Sequence, residues 1–393
     1  MVSYHKFEGT AIPAMIVSGL GCRQLLPELL DSLSFKQVLL VTGPNVRTGS
    51  GIVAEIDSLL GHRIAGIFDR IQTHVPEALL GVAADYARKA QPDAVMSIGG
   101  GSAHDTAKAI SLMLSSRRSI QEVMTRSNLP QSASELPMQF SPLPVITVPS
   151  TFSAAEVIGG GAFTEASSRE KLIFGSPGLT PVLVVLDGEV VATTPRPILL
   201  ASGMNAVHHC LEALYSRGSQ PITDALALHA LGGLISSLPR IAPDVVAPEK
   251  SDYQHTLESA SLSGLTYANS WLGVGHAICH SLGGRFGLSH GGANSVIVRY
   301  SLRFNMEAAA DKLRLAAASI ELPAEGSDAM EKLAKCIDEL TIRLGVPQTL
   351  RDLGLPEGQF DAIAHDTMKD PQISWNPRPV SFSDIVELLE QAW

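Results

Sequence analysis

Ala94-Val95-Met96-Ser97-Ile98-Gly99-Gly100-Gly101-Ser102-Ala103-His104-Asp105-Thr106-Ala107-Lys108 sets a short apolar run directly before three glycines, and a stretch of helical period follows to about Ser115. The glycines let the backbone approach a ligand closely. The helix behind them offers free N–H groups and a partial positive charge to a pyrophosphate. A dinucleotide cradle formed by Gly99, Gly100, Gly101 and Ser102 is one reading; a tight strand-to-helix turn capped by Ser102 is the other. Asp105 and Lys108 belong to the cradle in the first reading and are helix-surface charges in the second.

The same alternation extends on both sides. Gln37–Thr42, Ile64–Phe68, Val145–Val148 and Val182–Leu186 are further short runs rich in β-branched residues. Pro76–Ala90 is apolar at helical spacing, with its proline at an early position where the missing N–H costs nothing. This pattern predicts an α/β domain with a mainly parallel sheet over residues 1–187, a dinucleotide-binding domain if the glycine loop is a cradle. After about Gly188 the strand runs stop, and Pro195–Ser216, Ile222–Leu238 and Glu258–Leu282 are long and apolar-periodic. They predict an all-α second domain over residues 188–393, with the active site in the groove between the two. Ser115–Leu136 and Gly159-Gly160-Gly161 read as loop or low-complexity segments.

A chain of 393 residues exceeds the usual single-core size, which fits two domains. With 29 basic against 39 acidic residues the net charge is −10, and no Lys/Arg cluster could neutralise a run of phosphates, so nucleic acid is excluded as a partner. The start, Met1-Val2-Ser3-Tyr4-His5-Lys6, lacks a charged segment followed by an apolar one, and no run reads as long enough to span a bilayer. A soluble, cytoplasmic protein without a membrane partner is expected. Cys22, Cys210, Cys279 and Cys336 show no CxxC spacing, which points to reduced, buried thiols rather than a zinc knuckle or disulfide framework.

Histidines concentrate in the second half. Asn205 and His209 are four apart on one helix face, with His208 turned about 100° from His209. His276 and His280 repeat the spacing, and His290 follows. A lone histidine on an apolar helix is usually a hydrogen-bonded core residue, whereas four on such stretches suggest a shared site.

The string GGGSxxDxAK at 99–108, Gly203-Met204-Asn205-Ala206 with His209 and Glu212, and His276-Ala277 with His280, Leu282-Gly283-Gly284, Phe286 and His290-Gly291-Gly292-Ala293-Asn294 resemble the motifs of the iron-type alcohol dehydrogenase superfamily. The similarity runs from Val17 to the last residue. It implies the dehydroquinate synthase-like architecture and a nicotinamide cofactor, with Ser150, Thr151 and Lys171 joining the glycine loop and Asp105. Gly43, where many relatives carry an acidic residue against the ribose, leaves NADH and NADPH both open.

In that superfamily an Asp and three His hold iron or zinc. By resemblance those positions are Asn205, His209, His276 and His290, with His280 beside the nicotinamide. A neutral amide is a weak donor where an anionic oxygen is usual, so the metal is expected to be absent, with His209, His276 and His290 as its ligands if one binds. The same substitution occurs in the maleylacetate reductase branch. Thr73-His74-Val75-Pro76, the short spacing from Pro149 to Glu156, and Trp375-Asn376-Pro377-Arg378-Pro379-Val380 also resemble that branch. Departures fall at His290–Asn294 and Asn269-Ser270-Trp271, which are closer to the dehydrogenases, and at Ala155, where serine is usual.

The resulting expectation is NAD(P)H-dependent reduction of a carbonyl or enone on a small acidic substrate, without a metal, by a homodimer. His280 or His209 would donate the proton while His276, His290 and Asn205 orient the substrate. Protonated imidazoles would attract the anion, and Arg285, Arg299 and Arg378 are either a carboxylate clamp or surface residues. The alternatives are a metal-dependent iron-type alcohol dehydrogenase, a dehydroquinate synthase-like lyase, and a non-redox biosynthetic homologue.

Overall fold

The computed structural model describes residues 12–124, 141–322 and 328–393. Most of the loop-like Ser115–Leu136 stretch and all of Met1–Lys6 lie outside these residues. Among the described residues there are eight strands: β1 (Met15–Ser18), β2 (Val38–Thr42), β3 (Ile64–Phe68), β4 (Ala94–Gly99), β5 (Val145–Pro149), β6 (Gly160–Thr164), β7 (Lys171–Gly175) and β8 (Leu183–Leu186). Six form one parallel sheet in the order β1-β8-β5-β4-β2-β3. Strands β2, β4, β5 and β8 are buried along their whole length, which is why they read as unbroken apolar runs.

The chain leaves β2 toward one edge and returns to the other side of it as β4. This reversal is the point where open α/β sheets bind ligands beyond the carboxyl ends of their strands. Those ends are Thr42 and Gly99, tied by a 2.8 Å hydrogen bond from Thr42 Oγ1 to the Ile98 carbonyl. The glycine loop therefore occupies the ligand crevice of the sheet.

Three strands escape the β-branched pattern. β1 is a four-residue edge strand, and β6 pairs antiparallel with β7 in a separate hairpin that uses Gly160 and Gly161. The glycine run is thus part of a strand rather than low-complexity loop. The hairpin lies against the Gly101–Ser116 helix. Lys108 Nζ donates to the Ala155 and Gly160 carbonyls at 2.6 and 2.8 Å, and Asp105 Oδ2 accepts from Ala162 N at 3.2 Å. The surface reading of both charges is overturned, because Lys108 is fully buried and Asp105 is half-buried and bonded to the hairpin.

From Gly188 onward every described element is helical. The principal helices are Arg196–Tyr215, Pro221–Ser237, Lys250–Tyr267, Val274–Phe286 and His290–Asn305. The single periodic stretch Glu258–Leu282 is in fact two helices. It breaks at Trp271–Gly273, where the backbone N–H groups of Leu272, Gly273 and Val274 bond to the side chains of Gln372, Glu212 and Asn376 instead of continuing the helix. One stretch, Pro221–Ile241, is long and apolar enough to cross a membrane by length and composition, contrary to the sequence reading. Its helix packs on the Arg196–Tyr215, Lys250–Tyr267 and Ala310–Ser319 helices.

The helical half and the sheet share a core. Phe152, Val157, Val184 and Leu186 pack with Leu200, Met204, Val207 and Leu257. Gln254 pins the junction: its Nε2 donates to the Leu186 carbonyl and Ser18 Oγ, and its Oε1 accepts from Gly188 N at 2.6 Å.

Candidate active site

A cavity of about 730 Å³ lies between the glycine loop and the helices that carry the histidines. Gly100, Gly101, Ser102, Asp105, Thr151, Lys171, Asn205, His209, His276, His280 and His290 all line it. Gly99 and Ser150 do not; Ser150 N donates to the Gly99 carbonyl at 2.8 Å, so both shape the loop from behind. Gly99 has φ +151 and cannot be replaced without strain.

At the glycine end the Gly101–Ser116 helix begins with Gly100 as its N-cap and no side chain caps it. The Ser102 cap is therefore not formed, and the first N–H groups stay available to an anionic ligand. Added bulk would close the cradle: a Cβ on Gly100 would meet Thr151 at 3.1 Å, and one on Gly161 would meet Asp105 Oδ1 at 2.8 Å. Thr151 Oγ1 and Ser153 Oγ are buried without partners and line the cavity, so hydroxyls are supplied there despite Ala155.

At the other end the rings form a chain. His209 stacks on His276 at 4.9 Å, His276 meets His290 at 5.9 Å, and His280 stacks on His290 at 5.7 Å. Glu212 orders the first link. It accepts from the backbone N–H groups of Gly273, Gly275 and His276 and receives His276 Nδ1–H at 2.6 Å. That bond leaves His276 Nε2 as a lone pair, buried and unpartnered. Ser263 Oγ is 2.6 Å from the Ala260 carbonyl, to which it donates, and 3.3 Å from His209 Nδ1, from which it accepts. His209 likewise turns its Nε2 lone pair elsewhere. His280 Nδ1 donates to Asp370 Oδ2 at 2.8 Å.

Burial holds His209, His276 and His290 far below the ordinary imidazole pKa, and the neighbouring imidazoles press them further in the same direction. These three rings are neutral, so the expected attraction of an anion to protonated imidazoles is not available from them. The arginine clamp is absent too. Arg285 pairs with Asp366 at 2.7 Å, Arg299 bonds to Gln348, and Arg378 reaches Asp384 and lies over Phe304. None of the three lines the cavity. Among the described residues Lys171 is the Lys or Arg that does, and burial lowers its pKa while Asp105 and Asp370 oppose the shift.

Two donor sets could hold a metal. The ligand atoms of His208, Glu212 and His276 lie within 4.8 Å of one another. All are already committed: His208 bonds to Asn294 Oδ1 at 2.7 Å and Ser301 Oγ at 2.9 Å, and Glu212 is saturated by the donors named above. The second set fits better. Asn205 Oδ1, His276 Nε2 and His290 Nδ1 are buried without partners, and a carboxylate behind His276 is the usual outer support of a metal-bound imidazole. These donors suit a divalent cation, and nothing in their arrangement favours the metal-free expectation.

Sequence reasoning missed several cavity residues. Among them His74 was visible only as a motif letter, and Tyr267 and Trp271 carried no assigned role; behind the cavity wall, Glu212 was visible only as the last letter of a motif and Asp370 not at all. The interruption of helical period at Asn269–Trp271 was the available signal for Trp271.

Comparison with known proteins agrees with this geometry. The sequence model of the iron-containing alcohol dehydrogenase matches residues 13–188, and that of the C-terminal part of the Fe-containing alcohol dehydrogenase family matches residues 199–393. The chain is 29% identical to 4-hydroxybutyrate dehydrogenase of Cupriavidus necator, over 95% of this chain and 96% of the relative. It is also 29% identical to maleylacetate reductase of a Rhizobium species, over 98% and 97%. The crystal structure of maleylacetate reductase from Agrobacterium tumefaciens superposes with a TM-score of 0.80 at 27% identity, covering 99% of each chain. Equal identity to a reductase and a dehydrogenase leaves the substrate to the site itself. Sequence, sheet order and histidine cluster together show that the chain belongs to the iron-containing alcohol dehydrogenase family.

Proposed function

We propose that this protein is a nicotinamide-dependent oxidoreductase that interconverts a carbonyl compound and its alcohol. The observation that carries the reading is that the uncapped helix start behind Gly100 and the buried imidazole cluster open into one cavity. Gly100, Gly101, Ser102, Thr151 and Asp105 would hold the dinucleotide. Gly43 has nothing within 4 Å of where a Cβ would stand, which supports use of both NADH and NADPH. When bound, the reduced nicotinamide supplies a hydride, with its two electrons, to the carbonyl carbon.

The chain's own residues supply the rest. The carbonyl oxygen gains negative charge as the carbon is reduced, and it needs hydrogen-bond donors and one proton. His280 is oriented for this by Asp370, which fixes its Nδ1–H and leaves Nε2 for exchange with the cavity. The neutral rings of His209, His276 and His290, with Asn205, form the polar end that positions the oxygen. A divalent cation on these residues would supply Lewis-acid polarisation of the same oxygen.

The test is consumption of NADH or NADPH by purified full-length protein with a panel of aldehydes and ketones, measured with chelator and with added iron or zinc. Stoichiometric loss of reduced cofactor supports an oxidoreductase. Product formation without net loss of cofactor would instead indicate a lyase of the dehydroquinate synthase kind. Turnover that survives chelation would return the metal-free mechanism.

A further inference from the structure

Trp271 stands in a backbone conformation that a bulky side chain rarely adopts. Its φ is +62, in the left-handed region, and it lines the cavity in the turn between the Lys250–Tyr267 and Val274–Phe286 helices. Such strain persists only where the surroundings over-determine it. Here they do. Leu272 N is held by Gln372 Oε1 at 2.7 Å, Gly273 N and Gly275 N by Glu212, and Val274 N by Asn376 Oδ1 at 3.2 Å. The indole lies flat against Trp375, with ring centroids 5.8 Å apart and planes within 2°. Trp375 is itself backed by Gly218, where a Cβ would meet its ring at 3.1 Å.

A glycine would relieve the strain and leave the histidines anchored by the same hydrogen bonds. Retaining a tryptophan there therefore points to a role for the ring on its cavity side. Leu272, Ile198 and Pro347 line the same cavity and are apolar; no arginine is among its described lining residues, and the charge of Lys171, which also lines it, is opposed by the carboxylates of Asp105 and Asp370. The polar end is made of imidazoles and an amide.

We propose that Trp271 determines substrate specificity, presenting an aromatic platform for a carbonyl compound whose substituent is flat and apolar, such as an aryl aldehyde, rather than a carboxylate-bearing one. This assignment rests on the oxidoreductase reading for its reaction: the carbonyl carbon takes the hydride of NADH, the oxygen takes a proton, and NAD⁺ and the alcohol leave. The substrate-binding claim is separable from it. A flat ring stacked on an indole gains roughly tenfold in affinity over an equivalent without one.

The test uses full-length protein in two arms. In the first, kcat/KM is measured with NADH for benzaldehyde, acetaldehyde and succinic semialdehyde in wild type, Trp271→Gly, Trp271→Leu and Trp271→Phe. In the second, benzamide, a non-reducible analogue of benzaldehyde, is titrated calorimetrically into each protein–NADH complex. Wild type should prefer benzaldehyde to succinic semialdehyde. Trp271→Gly should lower the benzaldehyde-to-acetaldehyde ratio by about tenfold, chiefly through KM, and weaken benzamide to match, while Trp271→Phe restores most of both. NADH affinity reports folding, and if Trp271→Gly loses it, Trp271→Leu carries the comparison because it fills the wall without a ring. Equal benzamide affinity in wild type and the ring-less variants, or a wild-type preference for succinic semialdehyde, would overturn the proposal. Trp271-dependent benzamide binding without reduction of any carbonyl would uphold the platform and remove the oxidoreductase reading.

Discussion

His276 gives its Nδ1 proton to Glu212 Oε2 across 2.6 Å, and that bond decides which nitrogen of the ring faces the cavity. Glu212 also ends the Val274–Phe286 helix on its N-terminal side by accepting backbone N–H groups. An amide could not accept all four donors. Glu212→Gln is expected to lower stability by about 1–3 kcal/mol, since a buried N–H donor loses its acceptor, and metal affinity by roughly 10–100-fold. Chemical denaturation and a competitive chelator titration measure the two effects; a variant unchanged in both would show that the carboxylate does not orient the ring.

Asn205 Oδ1 is buried without a partner beside the imidazoles. Asn205→Asp places an anionic oxygen there, and its attraction for a divalent cation should raise zinc or iron affinity by at least about tenfold. Metal content after equilibration against a buffered free-metal series reads the change. Unaltered affinity would place the cation, if one binds, away from residue 205.

Gly161 has no room for a side chain, since a Cβ would press on Asp105 Oδ1 at 2.8 Å and on the Phe174 ring at 2.9 Å. Gly161→Ala should push Asp105 toward the cradle and weaken NADH binding, with strain of about 1–3 kcal/mol divided between binding and stability. Calorimetric titration with NADH checks it. A Kd and a Tm both equal to those of wild type would mean that the hairpin yields freely.

Acid should unfold the chelator-treated protein early. Burial lowers the pKa of His104 to about 3 and of His208 to about 4, and holds His209, His276 and His290 well below 6.5. Below pH 6.5 the unfolded chain takes up these protons and the folded one does not, so stability falls as pH falls, by about 1.4 kcal/mol per pH unit for each ring. Glu156, raised to about 6 by burial, acts oppositely between 4.5 and 6, and so does Asp105, but the imidazoles outnumber them. Denaturation free energies at pH 7.5 and 5.5 (about one unit either side of a free imidazole) decide the matter. A flat profile would contradict neutral, buried rings.

The parallel sheet and the glycine loop were legible because buried strands keep an unbroken apolar run and the loop keeps its spacing. β1 and the β6–β7 hairpin were not, since a short edge strand and a glycine-rich one lack that pattern. The histidine cluster was legible as spacing, but its charge was not: desolvation, with neighbouring charges pressing the same way, makes His209, His276 and His290 neutral. The arginines failed for a related reason, because sequence does not reveal that Asp366, Gln348 and Asp384 already engage them. For Trp271 the broken period at Asn269–Trp271 marked a turn but not the ring's place, which depends on groups that arrive from the 371–376 segment.

Gln254 bonds at once to the last sheet strand, to the edge strand and to the first turn of the helical half. A nascent chain that has finished β8 has not yet made this glutamine or the helices that complete the shared core. Its sheet therefore emerges from the ribosome with one face uncovered. Splitting the gene at the strand–helix junction, or grafting one half onto a foreign partner, should yield sticky fragments rather than two working modules.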